Sequence, residues 1–199
     1  RPHRKRENRK TERRGANMSE EQLIVHCSPT LAGIKTGNIF NCPYEDITRL
    51  NSFIQKWNGI LNPKGVYIRL LRACGGIGLI YVYRPSFLMS DIDGDAAELL
   101  KSCGYAELEL SALLENLSRR LNKFAEFPHE IGLFLGYPLA DVKGFIENKG
   151  AGCKLVGFWK VYGDVSAAEK KFSQFKKCSA LYYSSYKKGR SISKLTVAK

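Results

Sequence analysis

The spacing of apolar residues predicts a chain built mostly from helices. Between residues 45 and 61, apolar side chains recur at intervals of three and four, which places them on one face of a helix. The members of that face are Ile47, Leu50, Ile54, Trp57 and Leu61. Similar reasoning predicts helices at about 95–103, 108–124, 128–135, 138–148, 166–177 and 180–187.

The start of the patterned region carries helix signals. Ser19 followed by Gln22 forms a capping box, in which each side chain bonds the backbone N–H of the other. Ser28 and Pro29 indicate a second helix start, because serine caps helices and proline suits the first helical position. We therefore expect a short helix at 30–35, followed by a break at Gly37.

Strand patterns are few and short. Two apolar runs, 66–73 and 77–83, are rich in β-branched and aromatic residues, and Gly75-Gly76 between them is typical of a tight hairpin turn. The pattern of residues 155–162 predicts a third strand. Because both of its faces are apolar, other elements are expected to cover it on both sides. The residues after Ser191 are expected to be loose. The resulting fold class is α+β, with a small sheet of about three strands, a hairpin and one later strand, packed by helices.

Composition limits the class of protein. Apolar residues make up 44% of the chain, which is enough for a packed core. No run of about 18 apolar residues and no signal-peptide pattern occurs, which favours a cytoplasmic protein without a membrane partner. The six cysteines include no C-x-x-C pair, so reduced and mostly buried thiols are expected, with no disulfide framework.

The net charge of +13 is unevenly distributed. Residues 1–17 contain eight basic and two acidic residues and contribute +6, which leaves +7 for residues 18–199. Arg13-Arg14 can be encoded by AGGAGG, a ribosome-binding sequence, so residues 1–17 are interpreted as a disordered leader from translated upstream sequence. Met18 is then the start, and residues 18–199 form a single domain. The alternative is a basic arm that binds nucleic acid.

The segment 127–150 has the spacing of a helix-turn-helix unit. Gly132 suits a helix crossing, Gly136 suits the turn, and Ile131, Leu135 and Val142 are apolar core positions. The outward positions of the second helix would include Asp141 but no arginine or glutamine, which argues against base reading. A packed, helix-turn-helix-like helical pair is favoured, and nucleic-acid binding stays the alternative.

A first cluster of candidate site residues lies near the start. Cys27 precedes the predicted helix at 30–35, and a helix N-terminus favours the thiolate form. His26 and Thr30 are candidate ligand-binding residues beside it, and Lys35 could hold an anion. The competing interpretation is an ordinary buried cysteine.

A second cluster lies in the patterned segment and the predicted third strand. His129 is either a general base, a ligand or a surface residue, and Glu130 either takes part in catalysis or interacts with the start of its helix. Tyr137 and Lys160 are candidate ligand-binding residues. Lys160 lies among the aromatic residues 158–162, which either line a flat-ring site or belong to the core.

Several stretches together resemble an uncharacterised bacterial family of about 200 residues that carries only a domain-of-unknown-function label. They are HCSPTLAGIK at 26–35, YVYRP at 81–85, PHEIG at 128–132, LGYP at 135–138, DV at 141–142 and GFWKVY at 157–162. The resemblance covers residues 18 to about 195 and implies no established activity. It associates the chain with anaerobic bacteria and with genes near flavodoxin-like proteins, which implies a redox or cofactor role.

Three functional hypotheses follow. The first is a protein that binds a small ligand or a redox cofactor, with or without catalysis. Cys27 would be its thiolate, His129 its acid–base group and Lys35 its anion clamp. The second is a nucleic-acid-binding or regulatory protein, and the third an interaction protein without catalysis. Cofactor and partner stay unspecified beyond a small ligand or redox partner. No metal site is predicted, because His26, Cys27 and His129 lack the spacing of metal ligands.

Overall fold

The computed structural model describes residues 19–123 and 127–199 and confirms the α+β class. The expected leader and the start at Met18 lie outside these residues. The strands are β1 (Gly37–Pro43), β2 (Tyr67–Cys74), β3 (Ile77–Tyr83), β4 (Leu155–Val156) and β5 (Lys160–Val161). The helices are α1 (Glu20–Leu31), α2 (Ile47–Leu61), α3 (Pro85–Asp91), α4 (Asp95–Ser102), α5 (Leu110–Lys123), α6 (Ile131–Phe134), α7 (Leu139–Glu147), α8 (Val165–Lys187) and α9 (Ile192–Leu195).

The main sheet has three antiparallel strands in the order β1-β3-β2. The predicted hairpin of β2 and β3 is confirmed, with Gly75 and Gly76 both at positive φ in its turn. A two-residue turn of this kind requires positive φ at both positions, which glycine adopts without steric cost. β3 is therefore the central strand and pairs along its whole length on both sides.

The third strand of this sheet is β1 and not the predicted strand at 155–162. β1 lies where only a helix break was expected. The strand was not predicted because it contains glycine, asparagine and proline, which are depleted in strands. Residues 155–161 form a separate small hairpin, in which β4 and β5 pair antiparallel. Gly157 lies between them and faces the ring of Phe172 so closely that a side chain there would overlap it.

The first helix is longer than predicted. Its capping box is present, with the backbone N–H of Ser19 donating to Gln22 at 2.9 Å and that of Gln22 donating to Ser19 at 3.2 Å. The helix does not restart at Ser28 but continues through Pro29, whose effect is confined to the last turn. The hydroxyl of Ser28 donates to the carbonyl of Ile24, one turn back, and caps nothing.

Two cores lie on opposite faces of the sheet. We call the one beneath the first two helices the α1–α2 core; it contains Leu23, Ile24, Leu31, Leu50, Trp57 and Leu61 with Ile80 and Val82 of β3. The α5 core on the other face contains Leu100, Leu113, Leu117, Leu121 and Phe134 with Leu79, Tyr81 and Tyr83 of β3. A third cluster joins the β4–β5 hairpin to α8 through Trp159, Val161, Ala168, Phe172 and Phe175.

The C-terminal region differs from the prediction in two ways. The predicted helices at 166–177 and 180–187 are one helix, α8, which begins at Val165 directly after the capping residue Asp164. The residues after Ser191 are not loose, since Ile192 and Leu195 of α9 are buried in the α1–α2 core. The wholly buried Arg84 also donates to the carbonyl of Val197 at 2.7 Å and to that of Thr30 at 2.8 Å.

Candidate functional site

A cleft of about 300 Å³ opens between the α6–α7 pair and the β4–β5 hairpin. We call it the aromatic cleft, because four aromatic rings and several aliphatic side chains line it. Its lining residues are Phe127, His129, Ile131, Gly132, Tyr137, Asp141, Val142, Phe145, Val156, Gly157, Trp159 and Lys160. Three of the eight predicted site residues, His129, Tyr137 and Lys160, therefore lie around one cavity.

The buried carboxylate of Asp141 fixes the hairpin to α7. It accepts hydrogen bonds from Trp159 Nε1 at 2.6 Å and from the backbone N–H groups of Tyr162 at 2.8 Å and Gly163 at 2.7 Å. Bonds from three donors to a buried carboxylate are strong, because the acceptor is charged and shielded from water. The prediction that Asp141 points outward was wrong, and this residue positions one wall of the cleft.

Glycines allow the same elements to approach closely. A Cβ on Gly132 would lie 2.7 Å from Val142 Cγ2, which confirms the predicted close crossing of the α6–α7 pair. Gly144 of α7 lies directly against the ring of Tyr162. The hairpin covers Asp141 and Gly144, and α6 is only four residues long. The exposed residues of α7 are Ala140 and Glu147, which are not base-reading side chains.

One wall of the cleft is an aromatic stack. The rings of Tyr137 and Trp159 are stacked with centroids 4.9 Å apart, and Trp159 meets Phe172 edge-on at 4.5 Å. The hydroxyl of Tyr137 donates to the carbonyl of Phe158 at 3.2 Å. Burial raises the pKa of Tyr137 to about 12, so the wall is neutral at physiological pH.

Two basic side chains line the cleft. Lys160 Nζ donates to the carbonyl of Gly150 at 2.7 Å and lies 5.6 Å from the ring centroid of Phe145. This bond uses one of the three ammonium donors, which leaves two for a ligand. His129 is exposed and packs edge-on against Phe145 at 4.8 Å, and its ring nitrogens bond no other residue that the structure describes. The cleft thus combines an apolar interior with positive charge.

Glu130 does not line the cleft. It is buried on the other side of α6, where it accepts from Arg120 Nε at 2.6 Å and from the hydroxyl of Tyr105 at 3.2 Å. Burial and the neighbouring Glu130 carboxylate raise the pKa of Tyr105, which keeps that phenol protonated as a donor. The observed contacts of Glu130 are those of a residue that ties α5 to the start of α6.

The environment of Cys27 differs from the one expected of a thiolate. Because α1 continues past it, Cys27 lies inside a helix and not before a helix N-terminus. It is wholly buried in the α1–α2 core, and burial raises the pKa of its thiol more than nearby Lys35 lowers it. His129 instead packs against Phe145 of α7 and lines the aromatic cleft, whereas Cys27 belongs to the α1–α2 core.

The other residues of the first cluster also serve local contacts. His26 is exposed and stacks on Phe40 at 4.8 Å. The hydroxyl of Thr30 donates to Asn38 Oδ1 at 2.7 Å, which ties the end of α1 to β1. These two side chains are therefore used at the junction of α1 and the sheet, away from the aromatic cleft.

Lys35 connects the two predicted clusters. It is only 6% exposed, donates to the carbonyl of Gly37, and lies 5.3 Å from the ring centroid of Tyr137. Burial lowers its pKa to about 7, although the neighbouring Cys27 acts in the opposite direction. Lys35 is not a lining residue of the cleft, so it supports the Tyr137 wall from behind.

Sequence reasoning missed the residues that shape the cleft. Phe145 was not among the predicted site residues, and Val156 and Gly157 were placed in a continuous strand. The feature of the sequence that could have indicated the cleft is the combination of glycines and aromatic residues around Trp159. Glycine allows the backbone and aromatic rings to approach closely.

Among residues 19–123 and 127–199, no three His, Cys, Asp or Glu side chains converge closely enough to hold a metal ion. In the same residues, no helix is both long and apolar enough to cross a membrane.

The model of one protein family, described as a protein of unknown function (DUF3793), matches residues 23–196. The chain belongs to this family. The match to DUF3793 covers every element from α1 to α9, apart from the first residues of α1, and so includes the whole aromatic cleft. No curated protein and no solved structure matches the chain. Membership in DUF3793 carries no assigned activity, and a functional argument therefore depends on the cleft.

Proposed function

We propose that this protein binds a small, planar and mostly apolar ligand with an anionic group in the aromatic cleft. The observation that carries the proposal is the lining itself, in which the Tyr137–Trp159 stack and Phe145 are combined with the basic side chains of Lys160 and His129. Ligand sites are typically concave and apolar, with a few polar groups that fix orientation.

The size of the cleft limits the ligand. About 300 Å³ is at the lower end of the range for small-molecule sites, which suits one or two fused rings. The anionic group belongs near Lys160, whose ammonium has donors to spare. Both oxygens of the buried Asp141 carboxylate already accept from Trp159, Tyr162 and Gly163, so this group belongs to the wall of the cleft and the polar contact to a ligand falls to Lys160.

The proposed activity is ligand binding. His129 is the exposed titratable group of the cleft beside Lys160. The other two candidate catalytic residues, Cys27 and Glu130, lie in buried positions that do not line the cleft. The proposed ligand site therefore includes three of the predicted site residues, His129, Tyr137 and Lys160. Lys35 lies behind Tyr137.

The test uses two probes with the same rings and different charge. Titration calorimetry of the full chain should detect 2-naphthoate, whereas neutral 2-naphthalenemethanol should bind several-fold more weakly. Lys160→Met should weaken binding of 2-naphthoate by about fivefold to tenfold, corresponding to about 1–1.4 kcal/mol, and leave the neutral probe unchanged.

The matched control is Lys154→Met. Lys154 lies next to β4 and donates to the carbonyl of Gly163, and it does not line the cleft. This variant should bind 2-naphthoate as the unmodified chain does. Failure of the unmodified chain to bind either probe, or equal losses in the Lys160 and Lys154 variants, would contradict the proposal.

A further inference from the structure

The positive charge of this protein is concentrated at its C-terminal end. Residues 165–199 contain nine basic residues and one acidic residue, Glu169, so they carry +8 of the net +13. Residues 1–17 carry +6, which leaves −1 for residues 18–164. The net positive charge of the described fold therefore comes from α8 and the residues that follow it, because basic and acidic residues nearly balance in 18–164.

The lysines of α8 form a stripe along one face. Successive residues of a helix are rotated by about 100°, so Lys170, Lys177 and Lys188 project within about 20° of one another. Lys170 and Lys177 lie in the helix and Lys188 is its C-terminal cap. We call these three residues the lysine stripe. It follows most of a helix of 23 residues, which is about 34 Å long.

This face is open to solvent. The three lysines are exposed and make no ion pair with any residue in 19–123 or 127–199. The buried side chains of α8, Ala168, Phe172 and Phe175, lie on the opposite side of the helix. By contrast, the nearby Lys187 is already paired with Glu21 at 2.7 Å and does not belong to the stripe.

We infer that the lysine stripe binds the phosphate backbone of a double-stranded nucleic acid without reading its sequence. A row of ammonium groups about 27 Å long, from Lys170 to Lys188, matches most of one turn of a duplex. Lysine contacts phosphates as a point charge, whereas sequence-specific surfaces usually add several arginine, asparagine or glutamine side chains that form paired bonds to base edges. The face around the stripe contributes only Gln174 of these.

Two features of α8 favour a duplex over other anionic partners. A helix that binds a membrane surface requires a broad apolar face. The face of α8 that carries the lysine stripe has one large apolar side chain, Leu181. A single strand requires aromatic rings for base stacking. The exposed ring of α8, Tyr183, projects about 140° away from the stripe, and its hydroxyl donates to Glu21 at 3.1 Å.

The test is fluorescence anisotropy of a labelled 24-base-pair DNA duplex with the full chain between 50 and 200 mM NaCl. The variant carries Lys170→Gln, Lys177→Gln and Lys188→Gln together. Each phosphate contact contributes about 0.9 to the slope of log affinity against log salt, so this variant should lower the slope by about 2.7. Its affinity at 50 mM NaCl should fall by tenfold or more.

A charge-matched control carries Arg49→Gln, Lys56→Gln and Arg119→Gln, three exposed positions outside α8. Because residues 1–17 are present in every protein, their charge cancels in the comparison. The control should keep the slope of the unmodified chain, and circular dichroism should show that both variants stay folded.

An unchanged slope in the lysine-stripe variant, or an equal fall in the control, would overturn the inference. The inference would also be overturned if the protein did not bind the duplex but sedimented with vesicles made of equal parts phosphatidylglycerol and phosphatidylcholine. Binding of 2-naphthoate should be the same in the lysine-stripe variant, because the inference does not depend on the cleft.

Discussion

Lys35 shows how strongly burial changes a single side chain. Its ammonium group lies inside the fold beneath Tyr137, with one carbonyl and an aromatic ring as its contacts and no carboxylate beside it among the described residues. The sequence predicted an anion clamp, because an exposed and a buried lysine look the same in a sequence. Burial makes the charged form costly, and the cost depends on pH.

The expected result is a stability that rises with pH. The pKa of Lys35 is lowered from 10.5 to about 7, so above pH 7 the unfolded chain binds a proton that the folded chain has released. The free energy of unfolding should therefore increase from pH 7 to pH 8, by at most about 1.4 kcal/mol per pH unit. Well below pH 7 both states are protonated, and this dependence should vanish.

Urea unfolding at pH 6, 7 and 8 measures this effect against Lys35→Met, which removes the ionisable group. The stability of the unmodified chain should gain on that of the variant mainly between pH 7 and 8, and much less between pH 6 and 7. Lys56→Met, at an exposed position, should show no such pH-dependent difference. A constant difference between the unmodified chain and Lys35→Met at all three pH values would argue against a neutral Lys35.

At the scale of elements, the β4–β5 hairpin decides whether the aromatic cleft exists. It is held by Asp141 on one side and by the packing of Trp159 on Phe172 on the other. Gly157 allows the second contact, because any larger residue would meet the Phe172 ring. The hairpin is thus a separate small unit fixed between α7 and α8, and its position is sensitive to one methyl group.

Gly157→Ala should displace the hairpin from α8. Overpacking of this kind costs about 1–3 kcal/mol, and the cleft should lose affinity for 2-naphthoate at the same time. Gly59→Ala is the matched control, since a side chain at Gly59 in α2 meets no neighbour. That variant should be more stable, by up to about 1 kcal/mol, because alanine favours a helix interior. Urea unfolding should give opposite signs for the two substitutions, and titration calorimetry should show weaker 2-naphthoate binding for Gly157→Ala alone. Equal effects of the two substitutions would contradict this account.

Local patterns predicted the elements whose signals are local. The face of α2 and the turn at Gly75-Gly76 follow from spacing and backbone preference, and both are confirmed. β1 was missed because its asparagines and proline oppose strand propensity, whereas pairing with β3 and burial of Phe40 and Cys42 in the α1–α2 core stabilise it. The cleft is a tertiary feature for the same reason, since nothing adjacent to Asp141 in the sequence indicates its bonds to Trp159 and Tyr162.

At the scale of the whole molecule, the two large cores share one strand. Leu79, Tyr81 and Tyr83 of β3 belong to the α5 core, whereas Ile80 and Val82 belong to the α1–α2 core. Arg84, next in the chain, donates to carbonyls at the end of α1 and in the C-terminal residues. Neither core can lose β3 without exposing apolar surface in the other.

We therefore expect residues 19–199 to unfold in one cooperative transition. Leu117→Ala in the α5 core and Leu61→Ala in the α1–α2 core should each destabilise the chain by about 2–5 kcal/mol. In both variants the melting curves from circular dichroism and tryptophan fluorescence should coincide, as they do in a two-state transition. The comparison is informative because Trp57 lies in the α1–α2 core and Trp159 in the cluster between the β4–β5 hairpin and α8. Two separate transitions would show that the cores fold independently.

The alternation along β3 also limits which insertions and deletions this fold can tolerate. One residue gained or lost within 77–83 would turn each following side chain to the opposite face, so tyrosines would enter the α1–α2 core and isoleucine and valine the α5 core. The Gly75-Gly76 turn is open to solvent and has no such constraint. Length variation among members of this family should therefore occur at that turn and be absent from β3.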